Sequence, residues 1–335
     1  MFFQYDEKLN RSDNFKKLRE AYGITRSEVN SCVFCGSTNS RHVTKNIVRL
    51  WDEHEEDDAS ILICGTCGTF RISHVYDPAY YFEYINNFYG CTPTGVEPGS
   101  FEKALIRKSF ILRMMNAVNF KPKKMLEVSS YNGVSLDVVA SELGAEAWGI
   151  EPTSGAVDAA KSLYPDRAEY FINTVFEESK PQLQQNKFDF IMISYAFRQI
   201  AHPLRALSII DELLTSDGWL YLDEGSLNEG LVCASDMEIG YAFFQQKTNL
   251  FSLNALLHLF ESHGFEYVAS NSQHEARFVN SVRRHTGVMF RRKSNHKSQS
   301  SRLEKSRLIG EIIEKSFAQA FNDFPSKIEA IKKGI

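Results

Sequence analysis

Short apolar runs alternate with amphipathic stretches from residue 124 onward. Runs of strand length occupy residues 124–128, 147–150, 188–193 and 219–222, and the stretches between them carry apolar residues at helical spacing. A further helix is predicted to begin near Ser100. Strands that alternate with helices at this pitch predict an α/β domain whose parallel sheet is covered by helices on both faces.

The chain divides into five predicted segments that differ in texture. Residues 1–30 form a polar N-terminal arm, 31–75 a small cysteine-bearing module, 76–99 an aromatic linker, 100–293 the α/β domain, and 294–335 a basic linker with a C-terminal helix. Apolar residues recur at helical spacing in the last segment, which is typical of a packing or dimerisation helix. A homodimer formed through this helix is therefore one expectation.

Composition narrows the class of protein. The 335 residues are 43% hydrophobic and 24% charged, which is typical of a globular chain with a sizeable core. No apolar run approaches the roughly 18 to 20 residues that cross a bilayer, and the start of the chain carries acid, at Asp6 and Glu7, where a signal peptide would carry basic and then apolar residues. We therefore expect a cytoplasmic protein. The net charge of -4 disfavours nucleic acid and anionic membranes as partners.

Four of the six cysteines stand in two C-x-x-C pairs, each followed by a glycine. The pairs are Cys32 with Cys35 and Cys64 with Cys67. At this spacing two thiolates can hold one tetrahedral Zn²⁺, so the two pairs predict a single closed site that is structural rather than catalytic. Metal binding is expected to stabilise the module by on the order of 10 kcal/mol. A thioredoxin-like redox pair is the alternative, but such motifs occur singly.

A candidate ligand site follows the first strand of the predicted sheet. The strand runs through Glu127 into a short turn, and a helix begins after Gly133. A strand, a tight turn and a helix N-terminus together can bind a nucleoside-bearing ligand. Glu151 ends the next strand, close to the separation of about 20 residues at which an acid meets ribose hydroxyls in dinucleotide-binding folds. The alternative for Glu151 is that it caps the next helix.

Several segments in order then carry a resemblance to a known family. They are residues 126–133, 149–152, 188–195, 200–203, 213–222, 251–257 and 264–265. They resemble the successive motifs of the class I S-adenosylmethionine-dependent methyltransferases across roughly residues 100–290. The resemblance implies an α/β, Rossmann-like class I methyltransferase sheet, to which the cysteine pairs and the C-terminal periodicity add a small N-terminal zinc-knuckle module and a C-terminal helical extension. It also implies S-adenosylmethionine as the cofactor.

Two zinc knuckles ahead of such a domain make the chain similar to the sugar C-methyltransferase group, whose members act on nucleotide-linked keto-deoxysugars. The cofactor-binding residues that the resemblance implies are Glu127, Ser129, Ser130, Tyr131, Gly133, Glu151, Pro152, Thr174, Val175 and Ser194. Within this set Glu127, Ser129 and Gly133 surround the methionine part. Glu151 holds the ribose hydroxyls, and Thr174 and Val175 lie near the adenine.

The chain departs from that group at its histidines. Gln199 stands where the group carries a histidine after strand 4, and residues 244–247 replace its Y-H-E-H stretch. Because C-methylation next to a ketone needs a base, we expect O-methylation of a sugar, nucleotide-sugar or polysaccharide precursor. The candidates for the catalytic role, named from their positions, are Tyr195, His202 and Glu224.

Alternatives remain open for these residues and for the function. His202 could cap a helix, and Tyr81 or Tyr84 could either close over the site or pack between modules. The second function is an RNA methyltransferase, although residues 51–58 of the cysteine module are strongly acidic. The third is a degenerate, non-catalytic binding protein with the methyltransferase fold.

Overall fold

The computed structural model describes residues 6, 8–9, 11–22, 26–44, 60–89, 100–224, 248–277, 281–293, 302–304 and 307. The described α-helices longer than four residues are α1 (Arg11–Tyr22), α2 (Pro78–Tyr84), α3 (Ser100–Ala117), α4 (Val134–Leu143), α5 (Ser154–Leu163), α6 (Pro203–Leu213) and α7 (Leu253–Ser262). The strands are β1 (Arg26–Glu28), β2 (Ser40–Thr44), β3 (Ile61–Cys64), β4 (Phe70–Ile72), β5 (His74–Tyr76), β6 (Lys124–Val128), β7 (Glu146–Glu151), β8 (Phe171–Asn173), β9 (Phe188–Ser194), β10 (Leu214–Glu224), β11 (Asn249–Leu250), β12 (Phe265–Arg277) and β13 (Ser281–Arg292).

Seven strands form the main sheet in the order β12-β13-β10-β9-β6-β7-β8. The four predicted strands correspond to β6, β7, β9 and β10, and the predicted α/β fold is confirmed. The expectation of a purely parallel sheet is wrong, because β13 runs antiparallel to β10 and to β12. Strands β12 and β13 are separated by only three residues along the chain, and so short a connection can join only antiparallel strands.

The main sheet buries both of its faces, since alternate residues of each strand point to opposite sides. Met125 and Phe190 pack with α3, α4 and α5 on one face. Leu126 and Ile191 pack with α6 and α7 on the other face. The apolar runs read from the sequence are therefore strands covered on both sides.

The cysteine pairs lie on a second sheet, in the order β11-β4-β3-β2. Its edge strand β11 comes from the far end of the chain and pairs with β4 through Asn249 and Leu250. The rings of Phe34 and Phe251 contact each other in a tilted arrangement at a centroid distance of 4.9 Å, and Phe251 contacts the ring of Phe197 edge-on at 6.0 Å. The cysteine-bearing sheet and the main sheet thus share one continuous core on the α6–α7 face.

Helices α1 and α2 form a small separate cluster beside the main sheet. Leu18 of α1 packs against Tyr80, Tyr84 and Ile85, all of which are buried. After α2 the chain makes a single π-helical turn, Ile85–Tyr89. This cluster brings the predicted aromatic linker close to the carboxyl ends of the parallel strands.

The C-terminal segment is described at only a few positions. Arg302 forms a two-pronged ion pair with the buried Glu261 of α7, with nitrogen to oxygen distances of 2.8 and 2.9 Å. The predicted C-terminal helix and its role in a dimer lie outside the described residues. None of the helices described is long and apolar enough to cross a membrane.

Candidate functional site

A cleft of about 380 Å³ opens at the carboxyl ends of β6, β7 and β9. Strands β6 and β9 are neighbours, but the chain continues from β6 to β7 on one side and from β9 to β10 on the other. Open α/β sheets bind their ligands at such a switch point. Eight of the predicted site residues line the cleft: Glu127, Ser129, Ser130, Tyr131, Glu151, Pro152, Ser194 and Tyr195.

The turn after β6 has left-handed backbone at three positions. Ser129, Tyr131 and Gly133 have φ angles of 59°, 50° and 76°. Residues other than glycine adopt this conformation at a cost of roughly 1–2 kcal/mol, and such strain collects at functional sites. Position 133 requires glycine for a second reason, because a Cβ there would lie 2.7 Å from the ring of Phe171. It does not line the cleft, so it shapes the turn.

Glu151 joins this turn to the next one. Its Oε2 accepts a hydrogen bond from the Tyr131 N–H at 3.0 Å, and its Oε1 accepts one from the Thr153 N–H at 2.9 Å. Burial raises the pKa of Glu151, and these hydrogen bonds oppose the rise. Each carboxylate oxygen keeps a lone pair for a further donor, so the group can bind two adjacent hydroxyls.

Several buried polar atoms in the cleft wall have no hydrogen-bond partner among the described residues. They are Glu127 Oε2, Ser130 Oγ, Asn132 Nδ2 and Ser194 Oγ. Because buried polar groups in folded proteins are almost always paired, this concentration indicates a polar ligand. A carboxylate, an amide and two hydroxyls can bind the ammonium, carboxylate and ribose groups of S-adenosylmethionine. The residues present therefore fit this cofactor.

Arg107 of α3 brings a positive charge to this wall. Its guanidinium lies 3.8 Å from Glu127 Oε1 and 3.6 Å from Asp223 Oδ2, and it donates a hydrogen bond of 2.6 Å to Ser135 Oγ. The guanidinium also stands over the ring of Tyr195, at 4.9 Å from the centroid. Burial raises the pKa of Glu127 to about 8, although Arg107 opposes the rise.

The opposite wall is formed by Ser194, Tyr195 and Gln199. Tyr195 is also left-handed, with a φ of 59°, and its N–H donates to the Asp223 carbonyl at 2.7 Å. The Gln199 amide donates to the Tyr195 carbonyl at 2.9 Å and lines the cleft. No histidine is among the described residues that line the cleft.

Five predicted site residues lie outside the cleft. His202 is the N-cap residue of α6, but its side chain makes no capping bond. Glu224 is 2% exposed; its Oε1 accepts from the Phe197 N–H, and Arg198 lies 3.6 Å from its Oε2. Burial raises the pKa of Glu224 to about 7. The other three predicted site residues that lie outside the cleft are Gly133, Thr174 and Val175.

Thr174 and Val175 are buried under the loop that carries Glu151. The Thr174 N–H donates to the Glu151 carbonyl at 3.2 Å, so Thr174 supports this loop through its backbone. Of the aromatic segment, Ile85 lines the cleft, while Tyr84 is buried against α1 and Tyr81 is half-buried beside it. The packing alternative therefore describes both tyrosines.

Sequence reasoning missed Arg107 and Asp223. They come from α3 and β10, which are distant along the chain, and neither stands in a recognisable motif. Arg107 is one of several basic residues on α3, and only the fold distinguishes it from neighbours such as Lys108, which pairs with Glu142 instead of a residue of the cleft. One weak signal was available for Asp223, which directly follows the apolar run at residues 219–222 near the end of β10.

The four paired cysteines converge on one point. All four sulfurs lie within 4.8 Å of one another, and the nearest pairs join the two knuckles, with Cys32 and Cys67 at 3.5 Å and Cys35 and Cys64 at 3.6 Å. Sulfurs bound tetrahedrally at about 2.3 Å from Zn²⁺ are about 3.8 Å apart, so the cluster fits this ion. The pairing across knuckles favours a metal centre over a redox pair within one C-x-x-C.

A buried arginine stands beside the sulfur cluster. Arg71 is 3% exposed and donates to the Val29 carbonyl and, at 3.4 Å, to Ser40 Oγ. Burial lowers the pKa of Arg71, and the negative charge of Cys32, Cys64 and Cys67 opposes this. Four thiolates together with one divalent ion have a net charge of two minus, which this guanidinium would partly offset.

The comparisons with known proteins concern the region of the cleft. The sequence profile of the methyltransferase domain family matches residues 101–270, half of the chain. A search of curated proteins finds no match. The profile spans every strand that contributes to the cleft.

Two solved structures are among those to which this chain is similar. One is the magnesium protoporphyrin IX methyltransferase ChlM from Synechocystis PCC 6803, solved with S-adenosylhomocysteine. It is 13% identical to this chain with a TM-score of 0.47, and the alignment covers 65% of this chain and 100% of that one. The N-methyltransferase NodS from Bradyrhizobium japonicum WM9, solved with the same ligand, is 13% identical with a TM-score of 0.43, covering 59% and 90%.

Proposed function

Since the chain belongs to the methyltransferase domain family and is an S-adenosylmethionine-dependent methyltransferase, we propose that it methylates a hydroxyl of a sugar, nucleotide-sugar or polysaccharide precursor. The observation that carries the proposal is the wall formed by Ser194, Tyr195 and Gln199. Hydroxyl and amide groups both donate and accept hydrogen bonds, as recognition of a polyol requires.

The cofactor residues follow from the polar atoms of the cleft. Glu127 binds the ammonium of the methionine part, and Glu151 accepts hydrogen bonds from the ribose hydroxyls. When bound, the cofactor supplies an electrophilic methyl carbon on a positively charged sulfur. Arg107 and Tyr195 line the space next to Glu127, so they hold the acceptor in line with that carbon and keep bulk water out.

Gln199 favours a hydroxyl over a carbon as the acceptor atom. Removing a proton from carbon beside a ketone needs a base, and an amide cannot serve as one at neutral pH. A hydroxyl is already a nucleophile and can lose its proton late. Tyr195 and Gln199 then only orient the oxygen lone pair, for which a phenol and an amide suffice.

We further propose that Cys32, Cys35, Cys64 and Cys67 hold one structural Zn²⁺. The sulfur distances and the glycine after each pair support this assignment. Four protein ligands leave no open position for a substrate, so the ion stabilises the second sheet and takes no part in methyl transfer.

Titration calorimetry with S-adenosylhomocysteine tests the cofactor site. The zinc-loaded chain is expected to bind in the micromolar range, and Glu151→Ala to weaken binding at least about a hundredfold, because it removes a buried charged acceptor. Glu146→Ala, at the exposed start of the same strand, is the matched control. Equal affinity in the wild type and Glu151→Ala would contradict the assignment.

Transfer of a tritium-labelled methyl group tests the acceptor class. Nucleotide-linked sugars, oligosaccharides and transfer RNA are incubated with the enzyme and labelled S-adenosylmethionine in parallel. Labelling of a sugar hydroxyl supports the proposal. Labelling of RNA alone, weakened by added salt, would move the function to nucleic-acid methylation.

A further inference from the structure

The loop from Pro152 to Ser154 follows Glu151 and begins helix α5. Thr153 is the N-cap residue of α5, but its side chain makes no capping bond. The first N–H groups of a helix have no partner within the helix and need one from elsewhere. Asn86 supplies it, since its Oδ1 accepts from the Ser154 N–H at 2.7 Å.

The other end of the Asn86 amide is also engaged. Its Nδ2 donates to the Pro152 carbonyl and to the Phe82 carbonyl, each at 2.8 Å. One side chain therefore joins α2 to two positions of the loop beside Glu151. The loop carbonyl of Pro152 is held from the other side by Asn173 of β8, at 3.0 Å.

The π-helical turn accounts for the position of Asn86. Such a turn contains one residue more than an α-helical turn and is frequent at functional sites. Ile85, which precedes Asn86, is 4% exposed and lines the cleft beside Pro152 and Thr153. Asn87, which follows, donates to the carbonyl and the carboxylate of Glu83 in α2, four residues before it.

We propose that Asn86 is a positioning residue for the cofactor, acting through Glu151. It fixes the Pro152–Ser154 loop, and this loop presents the Thr153 N–H that holds Glu151 Oε1. It also fixes Ile85 against the same end of the cleft. The proposal rests on the assignment of Glu151 to the ribose hydroxyls. It extends the cofactor site to a segment outside the matched residues 101–270.

A matched pair of variants tests it. Asn86→Ala removes the two bonds to the loop and is expected to weaken S-adenosylhomocysteine binding about tenfold, measured by calorimetry on the zinc-loaded full chain. Asn87→Ala removes amide hydrogen bonds of the same kind that reach only Glu83 and not the loop. It is therefore expected to change affinity less than about twofold. Equal affinity of Asn86→Ala and the wild type would overturn the proposal.

A double-mutant cycle separates positioning from general support of the fold. The same substitution is made in a Glu151→Gln variant, and binding is measured up to millimolar ligand. There Asn86→Ala is expected to weaken binding less than about threefold, since the effects of coupled residues are not additive. A full tenfold effect in both backgrounds would show that Asn86 does not act through Glu151 and would overturn the proposal.

A third variant covers the case in which Asn86→Ala does not fold. Ser154→Pro removes the N–H group that donates to Asn86 Oδ1. Ser154 is the first helical position of α5, where proline is well tolerated. It is expected to weaken binding by about threefold or more, and unchanged affinity would count against the proposal. If the wild type itself fails to bind the ligand, the cofactor assignment fails; if only the variants match the wild type, the role of Asn86 fails.

Discussion

The cysteine knuckles and the cofactor turn both need left-handed backbone, but they obtain it differently. In the knuckles the residues are Gly36 and Gly68, with φ angles of 71° and 68°, and a Cβ on Gly36 would meet nothing within 4 Å. In the cofactor turn only Gly133 is a glycine, and the left-handed residues that line the cleft are Ser129, Tyr131 and Tyr195. The cysteine cluster is thus built on relaxed backbone, whereas the cleft carries strain that the surrounding packing maintains.

This difference separates a region that stabilises the protein from a region that binds its ligands. Glycine at a left-handed position costs the folded state no steric energy. A serine or tyrosine there adds a side chain that lines the cleft, at a cost to stability. The two regions nevertheless share one core through Phe34, Phe251 and Phe197, so changes in one are expected to reach the other.

Loss of the metal ligands is expected to have the largest effect. The Cys32→Ser, Cys67→Ser double variant should lose bound zinc and on the order of 5 kcal/mol or more of the free energy of unfolding, because structural zinc binding is coupled to folding. Metal content and guanidinium unfolding measure this, with Cys91→Ser as the control. If the variant still unfolds at the wild-type midpoint, the two regions are independent.

Truncation of Phe34 tests the shared core without touching a ligand. Phe34→Ala is expected to lower the free energy of unfolding by about 3–5 kcal/mol, since Phe34 is 2% exposed and its removal leaves a cavity. Val33→Ala, next to it and only partly buried, should cost less than about 1.5 kcal/mol. Urea unfolding followed at two wavelengths should show one transition, and two separate transitions would contradict a common core.

The pH dependence of stability tests the buried acid of the cleft. Burial raises the pKa of Glu127 from an ordinary value near 4.3 to about 8, so the folded state binds this proton more tightly than the unfolded state. Its contribution is complete below about pH 4 and is lost as the pH rises through about 8, with a slope of at most about 1.4 kcal/mol per pH unit.

Glu127→Gln removes this contribution to the slope. Urea midpoints between pH 5.5 and 9 should therefore fall less steeply in the variant than in the wild type. Glu224, with a pKa of about 7, contributes in the same direction, so Glu224→Gln is the companion variant. Wild-type stability that rises through pH 8 would contradict the raised pKa of Glu127.

The smallest effects are expected at the left-handed positions themselves. Gly36→Ala should destabilise by about 1–2 kcal/mol, because alanine has the clash that glycine avoids. Ser129→Gly should change stability by less than about 1 kcal/mol, because relief of strain is offset by the greater flexibility of glycine in the unfolded chain. Thermal unfolding measures both, and equal costs would remove the distinction between the two regions.

Much of the fold could be predicted because its signals are local. The apolar runs at β6, β7, β9 and β10 and the two C-x-x-C pairs each lie within a few residues. Glu151 was named because it ends a strand at a characteristic spacing after Gly133, whereas Glu127 was named from the family resemblance; both line the cleft. The antiparallel β13 was missed because the alternation of strands and helices that indicates a parallel sheet ends before it.

The rest of the site depends on contacts between distant segments. Arg107 meets Asp223 only after α3 packs against the sheet, and Asn86 meets Ser154 only after α2 docks beside β7. The pairing of β11 with β4 is of the same kind. No pattern within a short window encodes such contacts, so the sequence gives the residues but not their convergence.

The pairing of β4 with β11 also has a consequence for biosynthesis. The cysteine strands leave the ribosome early, whereas residues 249–250 follow only after most of the main sheet has been translated. Until then β4 presents an unpaired edge to which another nascent chain can add. Long-range pairing of this kind is slow, and N-terminal segments wait longest for it. The interval between translation of residue 72 and residue 250 is therefore the period of greatest risk of aggregation.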